Sequence, residues 1–153
     1  MSGKTAILKN NRKGFAYISA LMLVFIAGIA LTGAGRCWSL VIQREKEAAL
    51  LFRGGQIKSA IESYYNSAPE NAYPRNLKDL LKDQRFPVIK RHLRKLYKDP
   101  MTKDGQWKLL LDSQGAVKGV CSRSTKKPLK TDGFKKEYQK FEDADGYSDW
   151  HFL

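Results

Sequence analysis

The chain has 153 residues, with 28 lysines and arginines against 15 acids, for a formal net charge of +13. That length holds one small domain plus an anchor and excludes two independent hydrophobic cores. Two histidines, the absence of a glycine-rich phosphate loop and the lack of metal or triad spacing speak against an enzyme.

The first 14 residues carry Lys4, Lys9, Arg12 and Lys13 and no acid. Phe15 to Gly35 then runs for 21 residues without a charged side chain. As a helix it rises roughly 31 Å, matching the ~30 Å hydrocarbon core of a bilayer. Its ten large apolar residues favour insertion by about 3–6 kcal/mol before glycine and serine penalties. The basic leader predicts a cytoplasmic N-terminus, with the remainder of the chain across the membrane.

Three export signals share this outline and differ in where processing falls. A secretory signal peptide would be cut after the run, at the small residues Gly33-Ala34-Gly35. A lipoprotein signal needs a small residue before its cysteine, and Arg36 precedes Cys37. In the third pattern a basic leader ends in Lys13-Gly14 and the apolar run begins at once with Phe15.

The segment Arg12-Lys13-Gly14-Phe15-Ala16-Tyr17-Ile18-Ser19 resembles the processing motif of type IV prepilins. The resemblance implies cleavage between Gly14 and Phe15 by a prepilin peptidase, with N-methylation of Phe15. It also implies a single-pass subunit of the bacterial inner membrane with a periplasmic head. Such a subunit joins other pseudopilin subunits in a short filament, raised by an ATPase-driven inner-membrane assembly platform to push a secreted substrate. Family members usually carry glutamate five residues into the mature chain, where it pairs with a neighbouring subunit's N-terminal amine. Here that assembly position is Ser19, which supplies no charge and is read either as the mark of a minor or tip subunit or as a small residue bonded to its own helix.

Beyond the span, Leu50, Ile57, Ile61 and Tyr64 recur at spacings of 7, 4 and 3, one face of a helix. One helix is expected from Phe15 to Asn66: residues 15–35 in the membrane, 36–66 amphipathic, with Pro69 past its end. Gly28, Gly33, Gly35 and Gly54-Gly55 are read as weak points, or as sites of close helix packing. In the head, residues 67–153, a short helix is expected from Asn76 to Asp83 with Leu77, Leu80 and Leu81 inward. Val88 to Tyr97 is open between extended and helical. Strands from Trp107 to Leu111 and from Ala116 to Ser122 flank the turn Asp112-Ser113-Gln114-Gly115. The order Asp99-Pro100, tryptophan strand, glycine turn, Gly119-Val120-Cys121-Ser122 is similar to the major-type pseudopilin of type II secretion. The expected class is α+β, pilin-like: a long N-terminal helix packed on a small antiparallel hairpin head that is too small to stand without it. Cys37 and Cys121 are read as unpaired thiols in preference to a disulfide.

Two charged regions remain. Arg75 to Lys98 holds nine Lys/Arg against two Asp, and Lys103 to Lys136 nine against three. Such a surface suits an acidic neighbouring subunit or open solvent; the alternatives are contact with lipid headgroups, or a binding module that captures DNA or another anionic polymer. His92, inside the first block, is expected to be solvated. At the C-terminus Glu142, Asp143, Asp145 and Asp149 crowd around Gly146. Major-type pseudopilins hold calcium in a C-terminal loop, so Asp143, Asp145 and Asp149 are candidate Ca²⁺ ligands, against a plain acidic strand facing the basic surface.

Overall fold

The computed structural model describes residues 12–69, 71–142 and 144–153, with side chains described at 15–29 and from Trp38 onward. Contacts divide the chain into two units, Met1–Val41 and Ile42–Leu153. The class is α+β: a long helix and a small two-stranded antiparallel sheet.

Helix α1 spans Arg12–Tyr65, 54 residues, close to the expected extent. It stops where Ser67 turns its hydroxyl back onto the Tyr64 carbonyl at 2.8 Å, capping an acceptor the helix leaves bare, with Pro69 beyond. In the second unit the expected stripe is buried: Leu50 and Ile57 are fully covered, Ile61 is 2% exposed and Tyr64 7%. Burying three aliphatic side chains of this size contributes about 5–9 kcal/mol, more than the helix propensities of the same residues. The stripe therefore holds this part of α1 in the fold.

After α1 the chain passes through Asn71, whose φ of 45° is a left-handed value that asparagine tolerates. The short helix is a single 3-10 turn, Leu77–Leu80. The Asp79 carboxylate accepts the Asn76 N–H at 2.9 Å, and Leu80 is fully buried with Leu77 and Leu81 packed beside it. Val88 to Tyr97 forms neither helix nor strand, apart from an isolated bridge between Asp83 and Lys90.

Strand β1, Lys108–Leu111, pairs antiparallel with β2, Val117–Cys121, with a bulge between Leu110 and Leu111. Their turn is built by Asp112, whose Oδ1 accepts the N–H groups of Gln114 (2.8 Å) and Ala116 (2.9 Å). Gly115 supplies the positive φ of 77° that the return requires. On the other edge of β2, Val120 and Phe152 exchange backbone hydrogen bonds of 3.1 and 2.9 Å.

The C-terminal segment is not an acidic strand. It forms 3-10 turns at Lys136–Phe141 and Tyr147–Asp149, because its aromatic residues draw it into the core. Phe141, Tyr147, Trp150 and Phe152 are buried there, with the Phe141 and Trp150 rings stacked at 5.3 Å. Phe152 lies directly on α1 at Gly54, where a Cβ would come within 2.5 Å of its ring. Gly54 is therefore a close-packing position, and the helix runs through it unbroken. Cys121 is a free buried thiol, while the side chain of Cys37 lies outside the described residues.

Candidate functional site

In the first unit, α1 presents apolar side chains on every side. Leu21 to Ile26 is a run of six consecutive large apolar residues; at about 100° per residue it encircles the helix. Together with Phe15, Ile18 and Ile29 they are 55–78% exposed, a bare apolar collar that water does not favour. Among the described residues no helix is long and apolar enough to cross a membrane. Of the expected span Phe15–Gly35, the side chains of residues 30–35 lie outside the described residues, as do residues 1–11 of the expected leader.

Gly14 and Phe15 fall in the first turn of α1. That turn contains Arg12 and Lys13 in sequence and no acidic residue. Ser19 lies one turn further on, its hydroxyl donating to the Ala16 carbonyl at 2.9 Å. The side chain is thus satisfied within its own helix, the local bonding expected of serine at such a position.

Three buried carboxylates organise the second unit. Glu47, only 4% exposed, receives the Tyr147 hydroxyl at 2.8 Å and the backbone N–H groups of Leu129 and Lys130. Gln43 in turn donates to the Tyr147 hydroxyl at 2.8 Å. Burial, with the Glu47 carboxylate beside it, pushes the Tyr147 phenol up to about 12. Asp99, also buried, accepts the Ser122 hydroxyl at 2.7 Å and the Met101 N–H at 2.8 Å, joining the Asp99-Pro100 turn to the end of β2.

Asp83 is the third. Its oxygens take Arg85 Nε at 3.0 Å and Nη2 at 2.8 Å, and the Arg85 bonds hold the carboxyl down at about 2. Arg85 also donates to the Tyr64 carbonyl (2.7 Å) and Ser67 Oγ (2.9 Å), its guanidinium 3.6 Å above the Tyr64 ring. His92 completes the group, with Nε2 3.3 Å from Asp83 and Nδ1 2.8 Å from Ser63 Oγ.

No family model, curated protein or solved structure matches this chain.

The structure corrects the reading of His92. Its side chain is 1% exposed, because Asp83, Ser63 and the Tyr64 ring surround it. Serine, imidazole and carboxylate in line share the composition of a nucleophile relay. Here the imidazole is covered and Arg85 occupies both carboxylate oxygens, so the set acts as a brace between α1 and the segment after the Leu77–Leu80 turn.

Of the three candidate calcium ligands, Asp143 lies outside the described residues. Asp149 accepts the Gly146 N–H at 3.1 Å within its own turn, and Asp145 is exposed. Among the described residues no group of three or more His, Cys, Asp or Glu is placed to hold a metal ion. Sequence reasoning did not single out Gln43 or Glu47, and it read Gly54 as a weak point or a site of close packing. Continuing the alternating spacing of 3 and 4 through Leu50 reaches all three, since 43, 47, 50, 54, 57, 61 and 64 form one stripe.

Proposed function

We propose that this chain is a pilin-like structural subunit, a pseudopilin of a type II secretion or type IV pilus-like machine, and not an enzyme. The observation that carries the reading is the bare apolar collar of Phe15 to Ile29 on the same helix whose later turns form one wall of a small α+β head. A helix apolar on all sides must be covered by lipid or by other helices. Inner-membrane residence before assembly and side-by-side packing of such helices in a filament supply the two coverings in turn. The motif Lys13-Gly14-Phe15 adds the processing step: a peptidase cut there frees a chain that begins with its apolar helix. The subunit's work is mechanical, with prepilin peptidase, the assembly platform and sister subunits as partners.

The test is the mature N-terminus. Intact-mass analysis of the protein made alongside a prepilin peptidase is expected to give a chain starting at Phe15, carrying one added methyl group. A chain starting at Arg36, as a secretory peptidase would leave it, refutes the reading.

A further inference from the structure

In the second unit, the eight residues from Asp83 to Lys90 form a closed loop whose base is pinned and whose tip is bare. Asp83 N–H donates to the Lys90 carbonyl at 2.9 Å, and the N–H groups of His92 and Leu93 both reach the Leu80 carbonyl at 2.9 Å. The Asp83–Arg85–His92 brace ties this base to the last turn of α1 through Ser63, Tyr64 and Ser67. At the tip, Val88 is 78% exposed and Ile89 57%, next to exposed Pro87 and half-buried Phe86.

The residues flanking this tip are basic. Lys82, Lys90 and Arg91 are exposed, with Lys90 Nζ 5.1 Å from the Phe86 ring centre, and the one acid from residue 82 to 91 is Asp83, already neutralised by Arg85. We infer that the 83–90 loop is a docking tip for an anionic lipid surface, inserting Val88 and Ile89 between headgroups while the surrounding lysines and arginines meet the phosphates.

The size and shape of the patch favour lipid over a protein partner. A stable protein interface needs about 800 Å² on each side, usually with a central anchor seated in a pocket. A convex tip of two bare aliphatic residues falls far short of that. Peripheral attachment to a bilayer requires only a few apolar side chains at the headgroup boundary and a cluster of cations, each strengthening binding about five-fold near an anionic surface. A nucleic-acid partner would use the cations and leave Val88 and Ile89 without a role. The buried brace fits the same purpose: it fixes the loop so that insertion does not first require ordering it.

The full chain, held in neutral phosphatidylcholine nanodiscs so that its apolar helix is already covered, would be mixed with sucrose-loaded vesicles and sedimented. Vesicles with about a third phosphatidylglycerol are expected to carry the protein down at least tenfold more strongly than phosphatidylcholine vesicles, with binding falling steeply as salt rises. The double variant Val88→Ser/Ile89→Ser changes two largely exposed side chains outside the core and is expected to weaken that binding about tenfold or more. In competition, duplex DNA should displace the vesicles poorly. Equal binding to both vesicle types, or an unchanged affinity of the double variant, overturns the inference. So does displacement by DNA with the same affinity for wild type and variant, which would assign the cations to a polyanion.

Discussion

Replacing Gly54 with alanine tests whether the Gly54-Gly55 pair weakens α1 or packs it. On helix propensity alone, alanine at an interior helical glycine stabilises by about 1 kcal/mol. The structure predicts the opposite sign. The new Cβ would lie 2.5 Å from Cε2 and Cζ of Phe152, so the ring would have to retreat by about 1 Å to reach ordinary contact. Phe152 has nowhere to go. Its backbone is bonded to Val120 on both sides, and its ring packs edge-on against Trp107 at 6.3 Å and Phe141 at 5.3 Å. Overpacking of this kind costs roughly 1–3 kcal/mol, so Gly54→Ala should lose up to about 2 kcal/mol net once the propensity gain of about 1 kcal/mol is subtracted. Denaturant unfolding of the detergent-solubilised chain, followed by the fluorescence of buried Trp107 and Trp150, measures it. In a Phe152→Leu background, where the ring is gone, the same substitution should become neutral or stabilising. Gly55→Ala is the control: its Cβ meets only the Tyr138 hydroxyl at 2.9 Å, the far end of a side chain that can swing aside. Stabilisation by Gly54→Ala in the wild-type background would refute the packing argument.

Other outcomes follow from the buried polar groups and from the N-terminal helix. Because the Asp83 carboxyl is held at about 2, its contribution is fully present above the ordinary value of 3.8 and is lost as pH falls through 2. Acid titration of stability should therefore show a decline of roughly 2 kcal/mol across that window, and Asp83→Asn should flatten it. Arg85→Lys should also destabilise, since an ammonium cannot hold Asp83, the Tyr64 carbonyl and the Tyr64 ring face together. Tyr147 has the opposite sign: its phenol is raised to about 12, so the stability it confers is intact below 10 and lost as pH rises through 12, a loss that Tyr147→Phe should abolish in alkaline titration. Glu47→Ala should cost about 3 kcal/mol by stranding the Tyr147 hydroxyl and two backbone N–H groups, as thermal unfolding would show. Under the pseudopilin reading, Ser19→Glu should enter filaments more often than wild type; wild-type subunits already abundant along the filament would reject a minor role.

The parts of the fold legible in the sequence are those that repeat a short period. Leu50, Ile57, Ile61 and Tyr64 at helical spacing identified the buried face of α1, and the Asp112 to Gly115 turn between apolar runs identified the hairpin. The C-terminal segment was harder to read, because Phe141, Tyr147, Trp150 and Phe152 follow neither a 3.6 nor a 2.0 period. Tyr147 and Phe152 are held by contacts to Glu47, Gly54 and Trp107, distant in the chain, and a local window sees only the acids between the aromatics. His92 failed for a related reason. Surrounded in sequence by Lys90, Arg91, Arg94 and Lys95, it looks solvated, yet backbone bonds to Leu80 turn its side chain inward while its neighbours stay exposed.

The candidate site divides the same way, and Ser19 shows why. The run Phe15 to Ile29 declares itself by composition, since a helix that is apolar all round does not suit water. A single polar residue in that run states only that its group must be satisfied somewhere. Its hydroxyl finds the Ala16 carbonyl 2.9 Å away, so Ser19 needs no neighbour and does not oblige the helix to pack against one. A glutamate at the same place would leave a carboxylate that the helix backbone cannot neutralise, at a cost of about 2.5–3.5 kcal/mol in lipid, recovered only beside a cation. The position that would make partnership compulsory is here filled by a residue satisfied on its own. Under the pseudopilin reading, contact between such helices would then rest on apolar packing, which selects a partner less sharply than a buried ion pair.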